Sequence, residues 1–203
     1  MSCRKFTFKV VFVFFFTTFI SGFLWAGEPG DIVMETIDRG MAVLRDPSLS
    51  SEDKMSERRE KLWAEISYIF DFEEMSKRAL GKHWEERTPE EKVEFVGLFT
   101  RILKDTYVGK TDAYAGESIE YLRERQSGNR SKVQTNFITK KGQEISVDFS
   151  LIKRDGKWEI YDMIIEGISL VNNYRSQFRE ILRKSSYEEL VQKIKVKKGI
   201  DQG

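Results

Sequence analysis

Residues 144–165 read EISVDFSLIKRDGKWEIYDMII, and this stretch decides the fold. In its first half Ile145, Val147, Phe149 and Leu151 alternate with Ser146, Asp148 and Ser150. That period of two marks a strand with one buried face and one wet face. Asp155-Gly156 reads as a hairpin turn, and Trp158 to Ile165 as the returning strand. Upstream, Lys132 to Thr139 sets Val133 and Phe137 against Lys132 and Gln134, and Lys140-Lys141-Gly142 supplies the turn that follows. Ile119 and Tyr121 open a strand before that. The expectation is four antiparallel strands with one apolar face, which has to be covered.

The cover comes from the flanking sequence, whose apolar residues recur at helical spacing. A first helix is expected from Asp31, as cap, to Arg45, where Asp46-Pro47 ends it. Ser50 or Ser51 caps a second helix through Leu62, Ile66 and Ile69. Phe70-Asp71-Phe72 begins a third, with Met75, Ala79 and Leu80 inward and Gly81 as its stop. Thr88-Pro89-Glu90-Glu91 is the sharpest start: a capping Thr, Pro in the first turn, and a carboxylate three residues on. Behind it Phe95, Leu98, Phe99, Ile102, Leu103, Thr106 and Tyr107 form one stripe. Helical periodicity resumes after Gly167. The predicted architecture is α+β: a curved, cone-shaped, four-stranded antiparallel sheet with helices across its concave side. Its segments are helical 31–115, sheet 117–165 and C-terminal helices 167–197, in one domain over 27–203.

Residues 1–26 are different. Arg4, Lys5 and Lys9 precede an uncharged, mostly apolar run from Val10 to Leu24, and Glu28-Pro29-Gly30 follows at once. This is the layout of a secretory signal peptide, with Ala26 as the expected cleavage position. Cys3 lies ahead of the apolar run, so it is not the lipidated residue of a lipoprotein. The whole chain holds 34 basic and 33 acidic residues, net +1. Without the signal, 31 basic residues face 33 acidic ones, net −2, and no cysteine is left. Disulfides, thiolate catalysis and cysteine metal sites are thereby excluded from the mature chain. The balanced charge argues against a nucleic-acid partner. An exported, cysteine-free chain suits a bacterial periplasm.

Catalytic constellations are scarce. His83 is the only histidine and sits in the polar stretch Gly81-Lys82-His83-Trp84-Glu85, with no second His or Cys to share a metal. No phosphate-binding glycine loop, nucleophile elbow or metal helix motif occurs. Asp162 alternates into the fourth strand, and as an inward carboxylate in a cone-shaped α+β fold it would serve as a general base. The plainer reading pairs it with a cation or with backbone N–H groups. Periodicity does not decide whether helix stripe and sheet face fill one another or leave a dry cavity, since both predict the same pattern.

Two stretches carry a resemblance. One is Leu80-Gly81, Thr88-Pro89-Glu90 and Phe95, Phe99, Leu103, Tyr107; the other is Trp158-Glu159-Ile160-Tyr161-Asp162, Gly167, Ser169 to Arg175 and Gln177-Phe178. Together, over about residues 31–195, they resemble the MlaC family, also called the toluene-tolerance auxiliary component of an ABC transporter. The resemblance implies a soluble periplasmic phospholipid carrier with no catalysis and no cofactor. It would pass lipid between an outer-membrane lipoprotein/porin complex and an inner-membrane ABC transporter with an MCE-domain ring, maintaining outer-membrane lipid asymmetry. A monomer is expected. Relatives with hopanoid and hydrocarbon-tolerance systems leave the cargo headgroup open, and a non-lipid structural adaptor is a further alternative.

A two-chain lipid exposes on the order of 30 methylenes, an upper figure of ~24 kcal/mol in water. Few non-covalent complexes supply as much, so such a carrier needs a deep, dry pocket. The expected lining is Val147, Phe149, Leu151, Ile160 and Ile164 from the sheet, facing Phe99, Leu103 and Tyr107. Ile168, Val171 and Tyr174 complete it from the following helix. Tyr161-Asp162, Gly167 and Tyr174-Arg175 are expected to be structural, with Ser169 as a helix cap and Arg175 bonded to Asp162.

Overall fold

The computed structural model describes residues 28–109 and 118–196. The expected signal at 1–26, and the end of the expected helical region near residue 115, lie outside the described residues. Helix α1 spans Glu28–Leu44 and is already formed at Glu28, so Asp31 lies in its first turn rather than at its cap. The carboxylates of Glu28 and Asp31 suit the positive end of the helix. Glu28 also accepts from Lys153 Nζ at 2.9 Å and Trp158 Nε1 at 3.2 Å, while Gly30 N–H donates to Glu124 at 2.9 Å. These bonds pin the start of α1 to the sheet.

Helix α2, Met55–Ser67, begins later than Ser50 or Ser51 predicts. Two 3-10 turns intervene, Pro47–Leu49 and Glu52–Lys54. Ser50 Oγ turns back to the Pro47 carbonyl at 2.8 Å, and Ser51 caps nothing with its side chain. Helix α3, Phe72–Leu80, is capped by Asp71, which accepts from Glu74 N–H at 2.8 Å. It ends at Gly81, where φ is +60° and a Cβ would stand 3.1 Å from Arg175 Nε. Helix α4, Pro89–Tyr107, has the full capping box: Glu91 N–H donates to Thr88 Oγ1, and Thr88 N–H donates to Glu91 Oε2.

The sheet is an antiparallel meander in chain order: β1 Ser118–Ser127, β2 Arg130–Ile138, β3 Glu144–Arg154, β4 Lys157–Ile165 and β5 Ile168–Ser169. Among the described residues it has five strands, not four. The chain reverses at Glu166 and Gly167, both at positive φ, and Ile168 and Ser169 pair back onto Ile165 and Ile164. Ser169 then caps helix α5, Leu170–Leu182, accepting from Asn172 N–H at 3.0 Å. Helix α6 is Tyr187–Val196.

One irregularity reorients half of β4. Leu151 pairs with Ile160 but Ser150 pairs with Asp162, so Tyr161 is an extra residue, a β-bulge. Residues directly opposite share a face. Past the bulge, Met163 therefore joins Phe149 and Ile165 joins Val147 on the concave face. Asp162 and Ile164 stand opposite Ser150 and Asp148 on the other face. Uninterrupted alternation from Ile160 would have sent Ile164 inward, and the bulge overturns that expectation.

Among the described residues three apolar clusters make the interior. An aromatic cluster knits α3, α4, α5 and α6 around Phe95, Phe99, Tyr174 and Phe178, with edge-on ring pairs at 5.1–5.7 Å. A second lies on the concave sheet around Val133, Phe149, Leu151 and Ile160. The third joins Met41 and Leu44 of α1 to Leu62 of α2 and Val108.

Candidate functional site

A cavity of about 230 Å³ opens where the three clusters meet. Helix α1 contributes Val33, Thr36, Ile37, Gly40, Met41 and Leu44, and α2 contributes Leu62, Trp63 and Ile66. Phe70, Phe72 and Met75 line it from the start of α3, and Leu103, Tyr107 and Val108 from the end of α4. The sheet side is Phe137, Phe149, Ile160 and Met163, and Leu170 completes the wall. Apart from Thr36 and Tyr107, every lining side chain is apolar or a bare glycine, or is the amphipathic Trp63. Such a lining suits hydrocarbon, and none of its side chains is a carboxylate, histidine, lysine or arginine.

Of the eleven residues expected to line a pocket, Leu103, Tyr107, Phe149 and Ile160 do so. Phe99, Val171 and Tyr174 lie instead in the packed aromatic cluster, filled by Phe95 and Phe178. Val147 and Leu151 are buried in the sheet cluster without reaching the cavity wall. Ile164 faces the other side because of the bulge. Ile168 is 62% exposed, carried out of the interior by the turn at Glu166-Gly167. The contribution of α1 was missed. Its apolar residues Val33, Ile37, Met41 and Leu44 recur at spacings of four, four and three, which is signal enough for an inward stripe.

Asp162 is not on the cavity wall. Its carboxylate accepts from Ser169 Oγ at 2.6 Å and from Val171 N–H at 3.1 Å. Burial pushes this carboxyl above its usual range, against the lowering effect of those bonds. Its geometry is that of a brace fixing α5 to β4. The expected Arg175–Asp162 bond is replaced by these contacts, and the Arg175 guanidinium lies against Gly81. His83 Nδ1 is 3.3 Å from Glu86 Oε2, away from the cavity. Among the described residues no group of three His, Asp or Glu could hold a metal ion, and no helix is long and apolar enough to cross a membrane.

The wall formed by α3 is fastened from outside. Arg154, at the end of β3, donates to Asp71 Oδ2 and Glu74 Oε2, both at 2.5 Å, and Arg78 Nε donates to the other Glu74 oxygen at 2.7 Å. The segment before α3 adds to the β4 edge: Ile160 N–H donates to the Ile69 carbonyl at 2.8 Å and Asp71 N–H to the Ile160 carbonyl at 2.9 Å. Phe70, between these bonds, is thereby held in the cavity wall.

Residues 34–196 match the protein family described as MlaC protein. The chain belongs to the MlaC family. One relative of this MlaC-family protein is the intermembrane phospholipid transport system binding protein MlaC of Haemophilus influenzae, 23% identical over 122 residues. That match covers 58% of this chain and spans 57% of the relative's length. A solved structure, the phospholipid-binding protein from Ralstonia solanacearum in complex with a phospholipid, is similar with a TM-score of 0.75 and 23% identity. The match covers 82% of this chain and 94% of the other, so the two share the fold over most of their lengths.

Proposed function

We propose that this MlaC-family protein is a periplasmic phospholipid carrier, exported on the 1–26 segment and cleaved after Ala26. It moves lipid between an outer-membrane lipoprotein/porin complex and an inner-membrane ABC transporter with an MCE-domain ring, and so maintains outer-membrane lipid asymmetry. It works as a monomer without a cofactor. The carrying observation is the cavity, whose lining of Val, Ile, Leu, Met and Phe gives hydrocarbon a place out of water. Leu103, Tyr107, Phe149 and Ile160 are the expected residues that would touch acyl chains there. The Haemophilus and Ralstonia proteins, named for phospholipid transport and phospholipid binding, support the same reading.

At about 230 Å³ the cavity is below the ~300–1,000 Å³ of drug-sized ligand sites. Loading a two-chain lipid requires its walls to separate. The seam between three separately packed clusters is the place where they can part without emptying any one of them. A carrier is favoured over an enzyme because the best acid, Asp162, is spent bracing α5. A structural adaptor would have no use for the cavity. Native mass spectrometry of protein released from the periplasm tests the proposal. Phospholipid bound one to one is expected, and protein that stays lipid-free when offered phospholipid vesicles would overturn it.

A further inference from the structure

Thr36 is one of the few polar residues of the apolar wall, and its surroundings lead outward. Its hydroxyl donates to the Ile32 carbonyl at 2.8 Å. The 2.7 Å contact with Tyr68 is therefore donated by the phenol. Tyr68, just past the end of α2, is 52% exposed, so the pair runs from cavity wall to solvent. Over the Tyr68 ring lies the guanidinium of Arg39, 4.5 Å from the ring centroid. Arg39 immediately precedes the cavity residue Gly40.

Stacking fixes the plane of this cation. Its Nε is shielded from water and has no hydrogen-bond partner among the described residues. Its ion pair with Glu35 is loose, Nη1 to Oε1 at 3.7 Å, longer than a hydrogen bond. With Nε closed off, the 40% exposure of the side chain falls to the outer end of the guanidinium, where the two Nη groups offer parallel N–H donors that match two oxygens of a phosphate. An amphiphile whose chains lie in the apolar cavity must leave its polar end outside it, and through Thr36 and Tyr68 this cation stands next to the cavity wall.

Resting on the carrier reading above, we propose that Arg39, seated on Tyr68, binds the phosphodiester of the lipid whose chains occupy the cavity. The lipid's two non-bridging oxygens take Nη1 and Nη2 of Arg39, and Glu35 gives up its distant contact to Nη1. The cavity then selects for hydrocarbon, and the cation selects phospholipids over neutral lipids with the same chains.

The test compares two lipids of identical acyl chains, phosphatidylethanolamine and diacylglycerol, on delipidated full-length mature protein. The wild type should hold the phospholipid on the order of 10–100-fold more tightly, the worth of a charge-assisted bidentate contact. Arg39→Met should remove that preference while leaving diacylglycerol affinity unchanged. Arg39→Lys, which keeps the charge but loses the fork, should fall between them, and it carries the test if the methionine variant does not fold. Equal affinity of the wild type for both lipids would overturn the proposal while leaving the carrier reading standing. Failure to bind either lipid would instead remove the carrier reading. Inorganic phosphate alone is the third arm: no association is expected, and binding that Arg39→Met abolishes would make free phosphate the ligand and overturn the lipid assignment.

Discussion

Arg154 Nη2 and Glu74 Oε2 meet at 2.5 Å, joining the tip of the β3–β4 hairpin to helix α3. Glu74 is buried while Arg154 is half-exposed, so water screens one side of the pair and not the other. Arg154→Met leaves two buried carboxylates, Asp71 and Glu74, without their shared cation. Breaking a fully buried pair costs ~3–5 kcal/mol, and the exposure of Arg154 reduces the expected loss to about 1–3 kcal/mol. Chemical denaturation should read this as a lower midpoint with an unchanged slope.

The same contact sets an acid limit. Burial raises the Glu74 carboxyl, but hydrogen bonds from Arg154 and Arg78 outweigh it and hold the group below its ordinary value of 4.5. A carboxylate depressed by folding stabilises the protein above its unfolded value, and that stability is lost as pH falls through the folded value. Thermal melts of the wild type should therefore decline below about pH 4.5, and Arg154→Met should decline less steeply there. Parallel pH profiles for the two proteins would refute the assignment.

At the alkaline end Tyr187 takes over. Burial, with the nearby Glu91 and Glu94 carboxylates, pushes its phenol up to about 12, and it donates to the Glu91 carbonyl at 3.1 Å. A phenol raised by folding contributes stability that is whole below its unfolded value near 10 and is lost as pH rises toward 12. Tyr187→Phe should lose about 1 kcal/mol at neutral pH. It should also flatten the alkaline fall in melting temperature between pH 10 and 12.

The bulge at Tyr161 makes neighbouring residues unequal. Met163→Asn puts an amide into the apolar wall and should sharply reduce phospholipid bound after purification. Ile164→Asn, on the opposite face, should leave bound lipid unchanged at some cost in stability. Equal lipid loss in both variants, by quantitative lipid extraction, would refute the assigned register.

Filling the cavity separates binding from folding. Ile66→Trp occupies space near the α1–α2 crossing and should displace lipid while the melting temperature holds or rises by a few degrees. A variant that retained full lipid occupancy would show that the chains bind elsewhere.

Much of this was legible in the sequence because local rules were strong. The alternation of Ile145 to Leu151, the Asp155-Gly156 turn, the Thr88 capping box and the Ser169 cap each depend on near neighbours, and each stands in the structure. The cavity was less legible because it depends on which apolar stripes meet. Phe99 and Tyr174 have the same periodicity as Leu103 and Tyr107, yet Phe178 fills the space beside them. Ile164 was misplaced because a single inserted residue reverses every side chain beyond it, and nothing in Trp158 to Ile165 marks Tyr161 as the extra one. The short β5 escaped because two residues give no period to read.

The cavity also gives the molecule a mechanical signature. Internal space is surrendered when a chain unfolds, so the unfolded form occupies less volume and hydrostatic pressure favours it. Hydrocarbon packed into about 230 Å³ would abolish most of that difference. Compressibility then becomes a gauge of occupancy, and the protein should be softest when the cavity is empty.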